Sequence, residues 1–67
     1  MKIFAERLRE LRQEKGLSMM QLSKKINISD ATISRWENNQ SSIKAEELVT
    51  LSKFFNVTTD YLLGLEN

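Results

Sequence analysis

Apolar residues recur along this chain in short runs at helical spacing. Phe4, Leu8 and Leu11 fall at i, i+4 and i+7, one buried face of a helix over about residues 3–15 that Gly16 closes. Leu22 and Ile26 give a buried edge to a second helix over about 19–26, with Ser23 small enough for close approach to a neighbour. Ile33 and Trp36 mark the inward side of a third over about 30–37. Leu48, Leu51 and Phe55, flanked by Val49 and Ser52, stripe a fourth over about 45–55. A fifth, over about 59–63, packs down Leu62 and Leu63 and stops at Gly64, with Tyr61 at the edge of the core.

The polar residues between these runs carry the start signals. Ser18 followed by Gln21 is a capping box: the hydroxyl takes the amide at the third helical position, and the glutamine reaches back to the cap amide. Leu17 before that cap and Leu22 after it form a hydrophobic staple. Ser29 repeats the cap with Ile28 and Ile33 as its staple, and Thr58 repeats it again with Val57 and Leu62. Asn27 between the second and third helices is a residue type that tolerates the left-handed conformation of a helix end, and Asn56 ends the fourth helix. The segment Leu17–Asn38 therefore reads as helix, tight turn, helix, and the rest of the chain as its support.

Composition narrows the chemistry. The 67 residues predict one domain over 1–67, of the size that buries about 60% of its unfolded surface and is stable by only a few kcal/mol. Cysteine and histidine are absent, which removes disulfides, the common zinc sites and the usual nucleophile–base pairings. No enzyme activity, metal or cofactor is expected, nor a small-molecule ligand. Proline is absent and glycine occurs twice, as suits an all-α domain. No apolar run is long enough for a membrane span and no signal-peptide pattern is present, so the expected location is cytoplasmic. Net charge is only +1, but residues 1–39 carry eight basic and five acidic side chains, and residues 40–67 two and four. The positive half holds the helix pair. A nucleic-acid partner accounts for that asymmetry, and so does an ordinary solvated surface.

The outer side of the third helix is polar, leaving Asp30, Ala31, Thr32, Ser34 and Arg35 for solvent or a partner. Here ISDATISRWENN resembles the recognition-helix segment of the Cro and phage-repressor family, the Xre-type helix-turn-helix regulators. Cap, staple, turn, recognition helix and closing Trp-Glu-Asn fall in register together, and the resemblance extends from about Phe4 to Gly64. It implies a compact five-helix, lambda-repressor-like DNA-binding domain with the helix-turn-helix at the second and third helices. It also implies a bacterial or phage transcriptional regulator, most often a repressor, whose third helix reads the major groove.

The resemblance places Asp30, Ala31, Thr32 and Arg35 at base-reading positions. Arg35 can fork onto guanine O6 and N7, worth about 1–3 kcal/mol of discrimination. Thr32 can hydrogen-bond or touch a thymine methyl, and Ala31 offers apolar contact alone. Asp30 can accept from cytosine N4, or it serves the helix dipole as an acid in the first turn. Backbone contacts are expected from Ser18, Met19, Ser29, Asn38, Gln40 and Lys44. At Met19 the family often has glutamine; methionine leaves only its amide or an apolar contact. Near Asn39 the family usually has glycine, and asparagine reaches the same conformation at modest cost. Lys44 stands where the family caps with serine or threonine and opposes the helix dipole, which suits a nearby phosphate. The loop NNQSSI is equally readable as plain surface.

Arg12 lies one turn after Leu8, beside the apolar face, where an arginine must snorkel out or find an acid. In the resembled family it pairs with the glutamate at the position of Glu37, bridging the first helix to the third; otherwise the two are unrelated surface charges. The other charged residues of the first helix, Glu6, Arg7, Arg9, Glu10, Glu14 and Lys15, read as a solvated face, with Glu6–Arg9 and Arg7–Glu10 as weak local pairs. The expected partner is a roughly palindromic double-stranded operator, read by two copies that form a weak homodimer or dimerise on DNA. The alternative is a protein-interaction module, such as the antitoxin of a toxin–antitoxin pair, which an exposed apolar patch around Met19 and Met20 or around Tyr61 would favour.

Overall fold

A computed structural model describes residues 2–66. Its elements are α1 (Lys2–Glu14), α2 (Met19–Ile26), α3 (Asp30–Glu37), α4 (Ala45–Phe55) and α5 (Thr59–Leu63), with no strand among the described residues. The five helices fold into a body of 28 × 23 × 20 Å. α1 ends one residue before the expected boundary because Gly16 turns left-handed at φ 68°, its amide donating to Gln13 O and the Leu17 amide to Arg12 O.

Each start signal is realised in atoms. Ser18 Oγ accepts from the Gln21 amide at 3.1 Å while Gln21 Oε1 accepts from the Ser18 amide at 2.8 Å, closing the capping box. Ser29 Oγ accepts from the Thr32 amide at 3.2 Å, and Thr58 Oγ1 from the Tyr61 amide at 3.0 Å. α4 starts without such a cap: the Lys44 side chain makes no cap bond, and only its backbone amide is held, by Glu47 Oε1 at 3.0 Å. Asparagine supplies three of the left-handed turns, at Asn27, Asn39 and Asn56, with φ between 55° and 58°. Short polar Asn adopts that conformation at less cost than other non-glycine residues.

The core sits where the five helices meet. Phe4, Leu8, Leu22, Ile26, Ile33, Trp36, Leu51, Phe55 and Leu62 form one buried cluster, with Leu11, Leu17, Met19, Ile28, Ile43, Leu48, Phe54 and Val57 packed around it. Trp36 meets Phe4 edge to face, ring centroids 6.2 Å apart, so the inner side of α3 rests on α1. Ala5, which the apolar spacing passed over, is buried too. Met19 turns its side chain onto the core. It is partly buried there.

Candidate nucleic-acid interface

The turn between α2 and α3 occupies residues 27–29. Asn27 reverses the chain at φ 58°, and Ile28 follows by packing against the core beneath the turn. This staple and the Ser29 cap fix where α3 starts. Ile33 and Trp36 bury its inner side, which leaves Asp30, Ala31 and Arg35 exposed together and Thr32 half-buried between them. α3 therefore offers an uncovered face about two turns long, with one cation near its end.

Polar side chains on that face are tied to each other. Ser29 Oγ lies 2.8 Å from Thr32 Oγ1, and Arg35 Nη2 donates to the same Thr32 oxygen at 3.3 Å. Asn38 folds back, its Nδ2 donating to Ser34 O at 2.9 Å and to Ser34 Oγ at 3.3 Å. The Gln40 amide donates to Arg35 O at 2.8 Å, and its side chain is exposed. Ser18 and Lys44 are exposed at the starts of α2 and α4. Asn38 thus uses its amide nitrogen to finish α3, and from its side chain only the carbonyl oxygen is left out of those bonds.

Behind α3 lies a charged cluster. The Glu37 side chain is fully buried, and its carboxylate accepts from Arg12 Nε at 2.7 Å and Arg12 Nη2 at 2.9 Å, a two-pronged pair. Arg12 Nη1 also donates to Leu17 O at 2.8 Å, one residue before the α2 cap. One guanidinium therefore joins α1 to the start of α2 and to the end of α3. The hydrogen bond to Glu37 raises the Arg12 pKa above its ordinary value, against burial, which lowers it. A raised folded pKa gives stability that is fully present below the unfolded value and is lost only as pH climbs through the folded one. For an arginine that window lies far above neutrality, so Arg12 stays charged in use.

Two residues assigned to a solvated face do more. Arg9 reaches the same carboxylate, Nε to Oε1 at 3.5 Å, and donates through Nη2 to the Glu37 carbonyl at 2.9 Å, a cation at the negative end of α3. Arg7 stacks on Tyr61, 4.2 Å from the ring centroid, donating to the Tyr61 carbonyl and, at 2.5 Å, to the Glu66 carbonyl. These contacts replace the expected Glu6–Arg9 and Arg7–Glu10 pairs as the interactions seen for the two arginines. The available signal was spacing: Arg9 precedes Arg12 by three residues and so shares its helix face. Among the described residues no side-chain polar atom is buried without a partner. None of their groups of His, Cys, Asp or Glu could hold a metal ion, and no helix is long and apolar enough to cross a membrane.

Two short capped helices joined by a three-residue turn, with the second one's outer face left bare and its inner end clamped, define a helix-turn-helix domain. The chain belongs to the Helix-turn-helix family, whose model matches residues 8–62. It is 41% identical over 63 residues to the HTH-type transcriptional activator BcrR of Enterococcus faecalis, covering 94% of this chain and 31% of that protein. It is 37% identical over 59 residues to the HTH-type transcriptional regulator ImmR of Bacillus subtilis, covering 88% and 46%. To Repressor protein C2 of Salmonella phage P22 it is 33% identical over 61 residues, covering 91% and 28%. The chain spans less than half the length of each of these relatives.

Proposed function

We propose that this domain is the sequence-specific, double-stranded-DNA-binding part of a bacterial or phage transcriptional regulator acting in the cytoplasm. α3 enters the major groove, and α2 crosses the backbone. The observation that carries this reading is the outer face of α3, where Asp30, Ala31 and Arg35 stand exposed around a half-buried Thr32 while Arg12 and Glu37 clamp the same helix from behind. Arg35 reads a guanine. Ser18, the Met19 amide, Ser29, Asn38, Gln40 and Lys44 meet phosphates and set the register. Two copies occupy a roughly palindromic operator with half-sites about one helical turn apart, dimerising weakly or on the DNA. Repression follows when that occupancy blocks polymerase; the names of the relatives include an activator and a repressor, so operator position decides the sign.

The protein-interaction alternative draws little support. Around Met19 and Met20 only Met20 is exposed, since Met19 packs on the core, and Tyr61 lies under Arg7; the other exposed large apolar residues are Ile3, Val49 and Leu65. Scattered exposed apolar side chains are ordinary.

Selection from a random duplex pool at about 100 mM salt, followed by anisotropy titration of the winner, tests the proposal. Enrichment of an inverted repeat is expected, and Arg35→Ala should relax preference at one base pair per half-site at a cost of about 1–3 kcal/mol. An unchanged preference in Arg35→Ala would refute the placement of α3.

A further inference from the structure

We infer that Thr32 is a positioning residue, whose hydroxyl links the Ser29 cap to Arg35 and holds the guanidinium ready before DNA arrives. This rests on the proposal that Arg35 reads a base, and it changes the role of Thr32 from reader to support. The geometry is a relay of three side chains along one face. Ser29 Oγ caps α3 through the Thr32 amide at 3.2 Å and lies 2.8 Å from Thr32 Oγ1. Arg35 Nη2 donates to that same Oγ1 at 3.3 Å.

The chemistry of the groups sets the direction. A guanidinium only donates, so Thr32 must present a lone pair to Arg35 whichever of the two hydroxyls donates to the other. Positions 32 and 35 are i, i+3 neighbours, so the contact needs no distortion of the helix. Threonine is stiff about χ1, and the nearby Ser29 oxygen selects the rotamer that aims the hydroxyl along the face. A serine at 32 keeps the hydroxyl with a freer rotamer; a valine keeps the shape and loses the oxygen. Arg35 gives one N–H to this contact and keeps the remainder of its donor fork for guanine O6 and N7. An exposed arginine otherwise loses its rotamer freedom on binding, and holding it beforehand reduces that loss.

The test is a thermodynamic cycle on the selected operator with the Thr32→Val, Arg35→Ala and double variants. Thr32→Val is expected to weaken the best site by about three- to tenfold per half-site. In the Arg35→Ala background the loss should disappear. Thr32→Ser should retain most of the affinity. In the free protein, ¹⁵N relaxation of Arg35 Nε should show greater mobility in Thr32→Val and little change in Thr32→Ser, a readout that altered helix stability alone does not produce. Losses that add across the cycle, or Arg35 mobility that ignores the hydroxyl, overturn the inference. If Arg35→Ala leaves the base preference intact, the base-reading proposal fails instead, and the relaxation data still decide whether Thr32 holds Arg35.

Discussion

The most consequential side chain that touches no partner is Glu37. Its fully buried carboxylate takes two bonds from Arg12, at 2.7 and 2.9 Å, with Arg9 Nε a further 3.5 Å away. Arg12→Met keeps the apolar stem and removes the charge, leaving the buried carboxylate with Arg9 alone and Leu17 O without its donor. Removing one partner of a buried pair costs about 3–5 kcal/mol. A 67-residue domain holds about 3–10 kcal/mol in all, so the loss takes about a third to a half of the stability at the upper end and all of it at the lower, where osmolyte keeps the variant folded. Arg12→Met with Glu37→Leu removes both charges and should recover most of the loss, because desolvating the pair offsets much of its attraction. Trp36, the sole tryptophan, is 1% exposed beside Glu37 and reports urea unfolding by its fluorescence. Midpoints for the wild type, both single variants and the double, in a fixed concentration of osmolyte, give the coupling directly. If stability returns in the double variant while operator affinity does not, the pair orients α3 and adds little net stability. A loss below about 1 kcal/mol for Arg12→Met would show that the carboxylate tolerates solitude, and the clamp reasoning fails.

Two further outcomes follow from single positions. Gly16 and Gly64 are both left-handed, at φ 68° and 81°, but a Cβ on Gly16 meets nothing within 4 Å while one on Gly64 lies 2.8 Å from Ile3 Cγ2. Gly16→Ala should cost about 1–2 kcal/mol of backbone strain, Gly64→Ala distinctly more, and equal thermal midpoints would dismiss the Ile3 contact. Lys44→Ala removes an exposed cation that opposes the α4 dipole, so stability should rise by a few tenths of a kcal/mol while binding to every DNA sequence weakens and the salt slope flattens by about one unit; an unchanged slope places Lys44 away from phosphate.

Legibility in the sequence followed how local each signal is. Caps and staples act within five residues, so Ser18, Ser29 and Thr58 announced α2, α3 and α5 with their boundaries. Left-handed turns were readable at Asn27 and Asn39, and Asn56 as a helix end, because few side chains accept that conformation. Arg7 was not readable, and Arg9 only through its spacing from Arg12. Their acceptors, Tyr61 and Glu66 for one and Glu37 for the other, lie 54, 59 and 28 residues away, and nothing in an exposed-looking helix face encodes such a reach. The inward turn of Met19 was likewise decided by the core that assembles around it.

The arginines also alter what the charge pattern means. Arg7, Arg9 and Arg12 hold carbonyls or a carboxylate of the domain itself, so three of the eight cations in residues 1–39 serve the fold. The positive balance that suggested a nucleic-acid partner is therefore partly internal wiring. The exposed cations that remain in that segment include Arg35 on the outer face of α3 and Lys24 and Lys25 in the last turn of α2, where they complement the dipole of their own helix. On the proposed reading, such a domain would depend on amides, hydroxyls and one fork-shaped side chain more than on bulk charge. Few phosphates would then be neutralised per domain, each contributing about 0.9 to the logarithmic salt slope. Under the proposal that two copies share an operator, nonspecific affinity would be low and the second copy would supply what one domain lacks. If α3 reads the groove as proposed, discrimination would come from geometry, and the clamp behind α3 would matter as much as the residues in front of it.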